Sequence, residues 1–365
     1  MLPDVTSIRQ YREQLGLTQQ ALGDRVGVTR QTIAAWERGE RDVGVVQLVR
    51  LARALAVPVE LLLGGDVQPG PQLLYRADDP TVLSEGLRRL LNERAEAYAA
   101  IERLAGELPV LPASRPLDAF LPDQLEAIAR ETRDWFGVEG APLGDVLSLF
   151  EGKGLKVLRH RLPTEVSGFS AFTESWGGVV VVNDGHPLER QYFTALHELA
   201  HLVFHRSEYD GPVQASNRRS DPREKVANHF ASAVLLPREV MERELRGWRL
   251  RWIPEPVLID MKLRYRVSMR TVLFRAGALG LISSRQAGQQ VGVLNRRFGP
   301  HHELPELPKP ERGPLGRLEW LTYRALVSEA ITTSRAAEVL AMPLAEVRAR
   351  LAAYMRNPAT EGAAV

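Results

Sequence analysis

The run Gly64-Gly65-Asp66-Val67-Gln68-Pro69-Gly70-Pro71 restricts what this 365-residue chain can become more than any other stretch. Glycine at this density frees the backbone, and proline removes amide donors, so neither a helix nor a strand can run through it. The chain must fold as separate bodies, which its length also implies. A second break, at 109–116, carries three prolines. Between the two breaks, Leu87, Leu90, Leu91, Tyr98, Ile101 and Leu104 recur at helical spacing. They read as a connecting helix that either pairs two copies of the chain or packs on a neighbouring domain. A third stretch, 291–313, is rich in proline and charge and reads as a linker. The breaks divide the chain into a helical domain at 1–65, a linker with connecting helix at 66–116, a larger domain at 117–290, a linker at 291–313, and a C-terminal helical region at 314–365 with a disordered tail.

Hydrophobic residues make up 44% and charged residues 25%, which suits folded domains rather than disorder. The absence of cysteine excludes disulfides, thiolate metal sites and a cysteine nucleophile. Any metal must be held by His, Asp or Glu. No apolar run approaches the roughly 20 residues that span a bilayer, so no membrane partner is expected. The first ten residues contain Asp4 and Arg9 and lack the apolar core of a signal peptide. A cytoplasmic protein is expected. The net charge of +2 is too small to point to nucleic acid by itself.

In the first domain the informative stretch is 17–39. Thr18 and Thr29 each precede a helical pattern and can cap free amides, Gly27 falls in the turn between, and Gly39 ends the second helix. Leu22, Val26, Val28, Ile33 and Trp36 supply a shared core. Two short helices then cross steeply, leaving one face of the second free for a DNA groove. That face carries Arg30, Gln31 and Ala34; Arg can pair with guanine and Gln with adenine. Arg25, Arg38 and Arg41 are placed for phosphates. Residues 1–63 hold 8 basic and 7 acidic side chains, so charge does not separate DNA binding from protein contact; the motif spacing favours DNA, with a protein-contact domain as the alternative. Residues 4–63 resemble the Xre/Cro-like helix-turn-helix repressors. The resemblance implies a double-stranded DNA operator, a possible homodimer, and recognition through Thr29, Arg30, Gln31 and Ala34.

The chemical signal lies in the second domain, at His197-Glu198-Leu199-Ala200-His201. Four residues turn an α-helix back to nearly the same face, so both imidazoles can meet one Zn²⁺. Glu198 follows the first His and is placed to act as general base on water rather than as a ligand. A third ligand belongs on another helix. Glu224 is the candidate, at the N-terminal end of the apolar stripe Ala227, Phe230, Ala231, Val234 and Leu235.

Around this motif the sequence gives a helix near 122–136 and a short one near 142–153. Strand-like runs come after it at 155–158, 166–172 and 178–183, the last with four consecutive valines and so buried on both faces. Helical patterns come next at 188–206, 222–236, 237–245 and 256–280, then at 317–354. This order fits an α+β arrangement. Val267-Ser268-Met269-Arg270-Thr271-Val272 echoes 28–33 but leads into a stretch too apolar for a groove, and reads as a capped core helix.

The elements Val181-Val182-Asn183, the run 193–201, and Glu224-x-x-Ala227-Asn228-x-Phe230-Ala231 closing at Pro237 resemble the ImmA/IrrE metallopeptidase-like family over 117–280. The resemblance implies a zincin-like fold, zinc on His197, His201 and Glu224, and cleavage of a specific regulatory protein, often a repressor. The whole is then a multidomain chain: an all-α helix-turn-helix domain, an α+β zincin-like metallopeptidase domain, and a small C-terminal helical unit. The alternative is a regulator whose metal domain senses a ligand or partner without catalysis. Weaker candidates remain. His205 is either a surface or a supporting histidine, and His229 is packed or exposed. Asn183 serves substrate or a turn, Tyr192 could stabilise an oxyanion, and His301-His302 reads as solvated.

Overall fold

The computed structural model describes residues 5–14, 17–55, 62, 74–76, 83–107, 111–117, 119–173, 176–210, 221–300, 302–310 and 316–355. The chain divides into two compact units, 1–72 with 83–93, and 73–82 with 94–365.

In the first unit the helices are α1 (Val5–Gln14), α2 (Gln19–Val26), α3 (Arg30–Glu37) and α4 (Val45–Leu55). Thr18 accepts a hydrogen bond from the Ala21 amide at 3.1 Å and Thr29 from the Thr32 amide at 3.2 Å, so both helices start where the capping residues expect. Gly27 turns the chain in the left-handed region at φ 77°. Gly23 has a different reason to be glycine: a Cβ there would stand 2.7 Å from the Val28 carbonyl oxygen, so only glycine lets α2 approach the turn. Ile8, Leu22, Val26, Ile33, Trp36, Leu48, Leu51 and Leu55 form the core.

A buried ion pair ties the head together. Arg12 on α1 donates to both oxygens of Glu37 on α3 at 2.6 and 3.1 Å, and to the Leu17 carbonyl at 2.8 Å. Gln19 adds a bond to Glu37 at 2.9 Å. Removing one partner strands the other charge out of water. Glu37→Ala is therefore expected to destabilise the head by about 3 kcal/mol, read as a lower thermal midpoint and reduced DNA binding at fixed temperature. An unchanged midpoint would contradict this account of Glu37.

Of the apolar stripe of helix α5 (Glu85–Leu104), Leu91, Tyr98 and Ile101 are buried, Leu87 is half-buried, and Leu90 and Leu104 are exposed. In the second unit α6 (Pro122–Phe136) and α7 (Val146–Gly152) precede a four-stranded sheet in the order β1-β3-β4-β2. Its strands are β1 (Leu74–Arg76), β2 (Lys156–His160), β3 (Gly168–Thr173) and β4 (Gly177–Asn183). The valine strand β4 is central and buried at every position. It pairs parallel with β2 (Val157 opposite Val180) and antiparallel with β3 (Phe169 opposite Val181). The three-residue β1, antiparallel to β3, has no sequence signal of its own between its Gly- and Pro-rich neighbours.

The helix α8 (Leu188–Phe204) lies against this sheet. Gly168 permits the fit, because a Cβ there would come 2.4 Å from the Val181 carbonyl oxygen and 2.7 Å from Thr194 on α8. On its other side α8 packs on α9 (Pro222–Leu235), whose Val226, Ala227, Phe230, Ala231 and Val234 are buried. The Asp221 carboxylate caps α9 by accepting from the Arg223 amide at 2.9 Å. Next come α10 (Arg238–Glu244), α11 (Glu255–Tyr265), α12 (Met269–Ala278) and α13 (Ser284–Phe298).

Two sequence expectations are corrected by the structure. The pattern read as continuous over 256–280 is interrupted at Arg266, which adopts the left-handed region at φ 55°; the second helix starts at the Ser268 cap, as the capped-helix reading of 267–272 has it. A left-handed arginine gives no warning of the kind a glycine would. The stretch from 291 is helical up to Phe298, started by a capping box between Ser283 and Gln286 and held by Leu294 in the core. Its Arg- and Gln-rich outer face hid the apolar spacing.

The C-terminal helices are α14 (Arg317–Val327), α15 (Thr333–Leu340) and α16 (Leu344–Met355). They repeat the geometry of the head. Thr332, Ala341 and Val347 occupy the places of Thr18, Gly27 and Ile33: cap, left-handed turn at φ 50°, and fully buried apolar residue. The pair α11–α12 has the same turn with Arg266, Ser268 and Val272. There the second helix buries Met269, Val272, Leu273 and Ala276, as the apolar reading of that echo implies.

Candidate metal centre

Two turns of α8 and the first turn of α9 bring His197, His201 and Glu224 together, with ligating atoms within 4.8 Å of one another. His197 Nε2 stands 3.1 Å from His201 Nε2 and 3.3 Å from Glu224 Oε2; His201 Nε2 is 3.6 Å from Glu224 Oε1. Two donors bound at 2.0–2.1 Å to a tetrahedral zinc stand about 3.3 Å apart, so the spacing suits that ion.

The outer atoms of the two rings support the same reading. His197 Nδ1 lies 3.1 Å from Asn228 Oδ1, one turn after Glu224 on α9. An amide oxygen accepts only, so Nδ1 carries the proton and Nε2 offers its lone pair to the centre. His201 Nδ1 lies 3.0 Å from His205 Nδ1. With the proton on His201, its Nε2 is likewise a lone pair, and two such lone pairs face each other across 3.1 Å. A shared cation or proton relieves that arrangement. Burial acts to lower the His197 pKa, but the carboxylates of Glu224 and Glu198 outweigh it and raise the pKa above the ordinary imidazole value.

Asn228 therefore orients His197, one of the three residues that could hold a metal, without joining that group itself. Partners of this kind typically change metal affinity 10- to 100-fold. Asn228→Ala is expected to weaken zinc binding by roughly tenfold or more, measured by competition with a chromogenic chelator. Unchanged affinity would refute the role.

Glu198 is buried on the sheet side of α8. Ser170 Oγ on β3 donates to Glu198 Oε2 at 2.6 Å, and Tyr209 lies 2.6 Å from the same Ser170 oxygen. Since the Ser170 proton goes to the carboxylate, the Tyr209 hydroxyl must donate to Ser170. This chain fixes one oxygen of Glu198. Neither Ser170 nor Tyr209 was foreseen: Ser170 sits in an apolar strand, and Tyr209 comes after the helix with no motif around it.

The remaining candidates go elsewhere. His205 is buried behind His201, as a supporting group. His229 is bonded to Glu126 at 2.9 Å on the α6 side. Asn183 serves the turn: Nδ2 donates to the carbonyls of Leu162, Pro163 and Val166, and Oδ1 accepts from the amides of Leu162 and Gly185. The Tyr192 ring is fully buried in the core. His302 is exposed, and His301 lies outside the described residues.

In the head, Thr29, Arg30 and Gln31 are exposed at the start of α3 and Ala34 is half-buried one turn on. Arg38 is exposed, with its guanidinium forked onto Glu40 at 2.7 Å for both bonds. Exposed pairs of this kind are weak, so a phosphate can compete for Arg38. Arg25 and Arg41 are exposed as well.

Comparison with known proteins gives two family matches, a helix-turn-helix family over residues 8–62 and an IrrE N-terminal-like domain over 150–276. The head is 54% identical over 50 residues to an uncharacterized HTH-type transcriptional regulator of Methanothermobacter thermautotrophicus, covering 14% of this chain and 72% of that protein. It is 34% identical over 53 residues to the uncharacterized regulator YgzD of Bacillus subtilis, covering 14% and 80%. A further such regulator, from Sinorhizobium medicae, is 36% identical over 69 residues; the match covers 17% of this chain and half of the relative. Among the described residues no helix is long and apolar enough to cross a membrane. This chain belongs to the helix-turn-helix, DNA-binding transcriptional regulators, and behind its reading head it carries an IrrE-like, metallopeptidase-like α+β domain.

Proposed function

We propose that the IrrE-like domain is a zinc-dependent peptidase that cuts one specific regulatory protein, and that the head holds the enzyme at an operator. The observation that carries this reading is the convergence of His197, His201 and Glu224 with Glu198 fixed beside them. In this donor set the chemistry supplied by zinc is Lewis-acid polarisation of a carbonyl. Glu198, held at Oε2 by Ser170, takes a proton from the attacking water on Oε1 and passes it to the departing amide nitrogen. Tyr209 keeps Ser170 aimed at Glu198 throughout. Asn228 and His205 hold the two imidazoles in register.

In the head, Thr29, Arg30, Gln31 and Ala34 form the base-reading edge and Arg38 a phosphate contact; the exposed start of α3 supports this, since such helices read bases with their N-terminal residues. Tethering to DNA favours a substrate that works at the same place, such as a repressor, over general digestion. It also places the protein with the DNA, in the cytoplasm, and pairing of two heads on a two-fold operator would make a homodimer.

The test uses the full chain and the products of neighbouring genes. Zinc-loaded protein is expected to cut one of them at a single bond. Removing zinc by chelation is expected to stop cleavage, and adding zinc back to restore it. Cleavage of none, with normal operator binding, would replace the peptidase with a non-catalytic sensor.

A further inference from the structure

A cavity of about 620 Å³ opens in the second unit, with Phe120, Phe193, Phe274 and Ala278 in its wall. It shares two residues with the surroundings of His197. One is Asn228, bonded to the imidazole at 3.1 Å; the other is Phe193, whose ring centroid stands 6.4 Å from that of His197. The cavity is thus next to the triad, on the α9–α12 side.

Its aromatic groups are unusually open. Phe274 is 58% exposed and Phe120 41% exposed, although both belong to a concave apolar surface. Exposed rings around a hollow gain most when a ligand covers them. The charged groups of the wall, by contrast, are largely satisfied within the protein. Arg275 forks onto Glu126 with two contacts of 2.7 Å. Arg270 meets Glu303 at 2.7 Å, and Lys262 pairs with Glu189 and Glu303. Arg190 of the wall is taken up by Ser167 Oγ at 2.7 and 3.1 Å, and Lys225 stands in water, where an ion pair gains little, so a charged group of either sign would lose hydration with little return. Lys225, exposed in the same wall, repels a basic one further.

We propose that this cavity receives a bulky uncharged side chain, aromatic or long aliphatic, from the polypeptide presented to the triad, and so selects the protein that is cut. The inference rests on the peptidase reading for the cut itself, but binding is measured without turnover. The probe is an array of twelve-residue peptides with randomised flanks and a central Phe, Leu, Ala, Glu or Lys. It is overlaid with the zinc-loaded full chain carrying Glu198→Gln. Phe and Leu peptides are expected to be retained about tenfold or more above the other three. Phe274→Glu and Ala278→Trp, both at exposed positions, are expected to remove that preference while zinc content and melting temperature stay unchanged. A flat array, or the same preference in both variants, would overturn the proposal. Should the preference hold while the unsubstituted, zinc-loaded chain cuts none of the neighbouring gene products, the cavity stands and the peptidase reading fails.

Discussion

Glu198→Gln is expected to lower the rate of partner cleavage by about 10²- to 10⁴-fold, the range a general base contributes. The substitution keeps the shape of the side chain and an oxygen that can still accept from Ser170, so the 2.6 Å contact to β3 has a counterpart. What is lost is an oxygen basic enough to take a proton from water. Zinc content, measured by elemental analysis of the dialysed protein, is expected to remain one per chain, because His197, His201 and Glu224 are untouched. Turnover within a factor of a few of the parent would show that another group does the proton transfer. Loss of zinc would instead place Glu198 among the ligands.

The second large effect concerns the buried charge cluster of Arg275, Glu126 and His229. Arg275 is fully buried, donates both terminal nitrogens to Glu126 and its Nε to the Leu236 carbonyl at 3.0 Å, while His229 meets the same carboxylate. Glu126→Ala would leave a guanidinium without its counter-ion in the core, at a penalty of roughly 3–5 kcal/mol. Replacing both Glu126 and Arg275 by Met is expected to be far milder, because an apolar pair removes the charge that needs pairing. The sign of the pH dependence comes from the same contacts. Burial alone would raise the Glu126 pKa, but the bonds to His229 and Arg275 reverse it, bringing it from the ordinary 4.5 down to about 2. A depressed carboxylate stabilises the fold fully above its unfolded pKa and loses that contribution as pH falls through the folded one. Denaturant midpoints are therefore expected to fall between about pH 4.5 and pH 2, and the double Met variant to show a shallower fall. Equal slopes would assign acid sensitivity to other carboxylates.

What could be read from the residues depended on distance along the chain. The capped helices of the head and the four-residue spacing of His197 and His201 are local, and local geometry comes from helix periodicity. Glu224 was reachable because it begins an apolar stripe. The groups that hold these in place were not. Ser170, Tyr209 and Asn228 act on residues 28 to 39 positions away, through the packing of α8 on the sheet and on α9. Arg12 and Glu37 meet across 25 positions, and Arg275 and Glu126 across 149. No periodicity encodes such pairings. β1 was hidden for a related reason, since three residues gain strand geometry only from β3 beside them.

One buried carboxylate has a consequence for shortening the protein. Glu102, at the end of α5, is 1% exposed and bridges Lys156 of β2 and Arg317, the first residue of α14. Both cations also stack near the Tyr98 ring, at 5.9 and 5.7 Å. A truncation that stops before Arg317 would uncover this carboxylate and ring at the root of a sheet strand, far along the chain from the cut. The last three helices are thus no detachable appendage, and trimming them should loosen the very strand that lies alongside the valines.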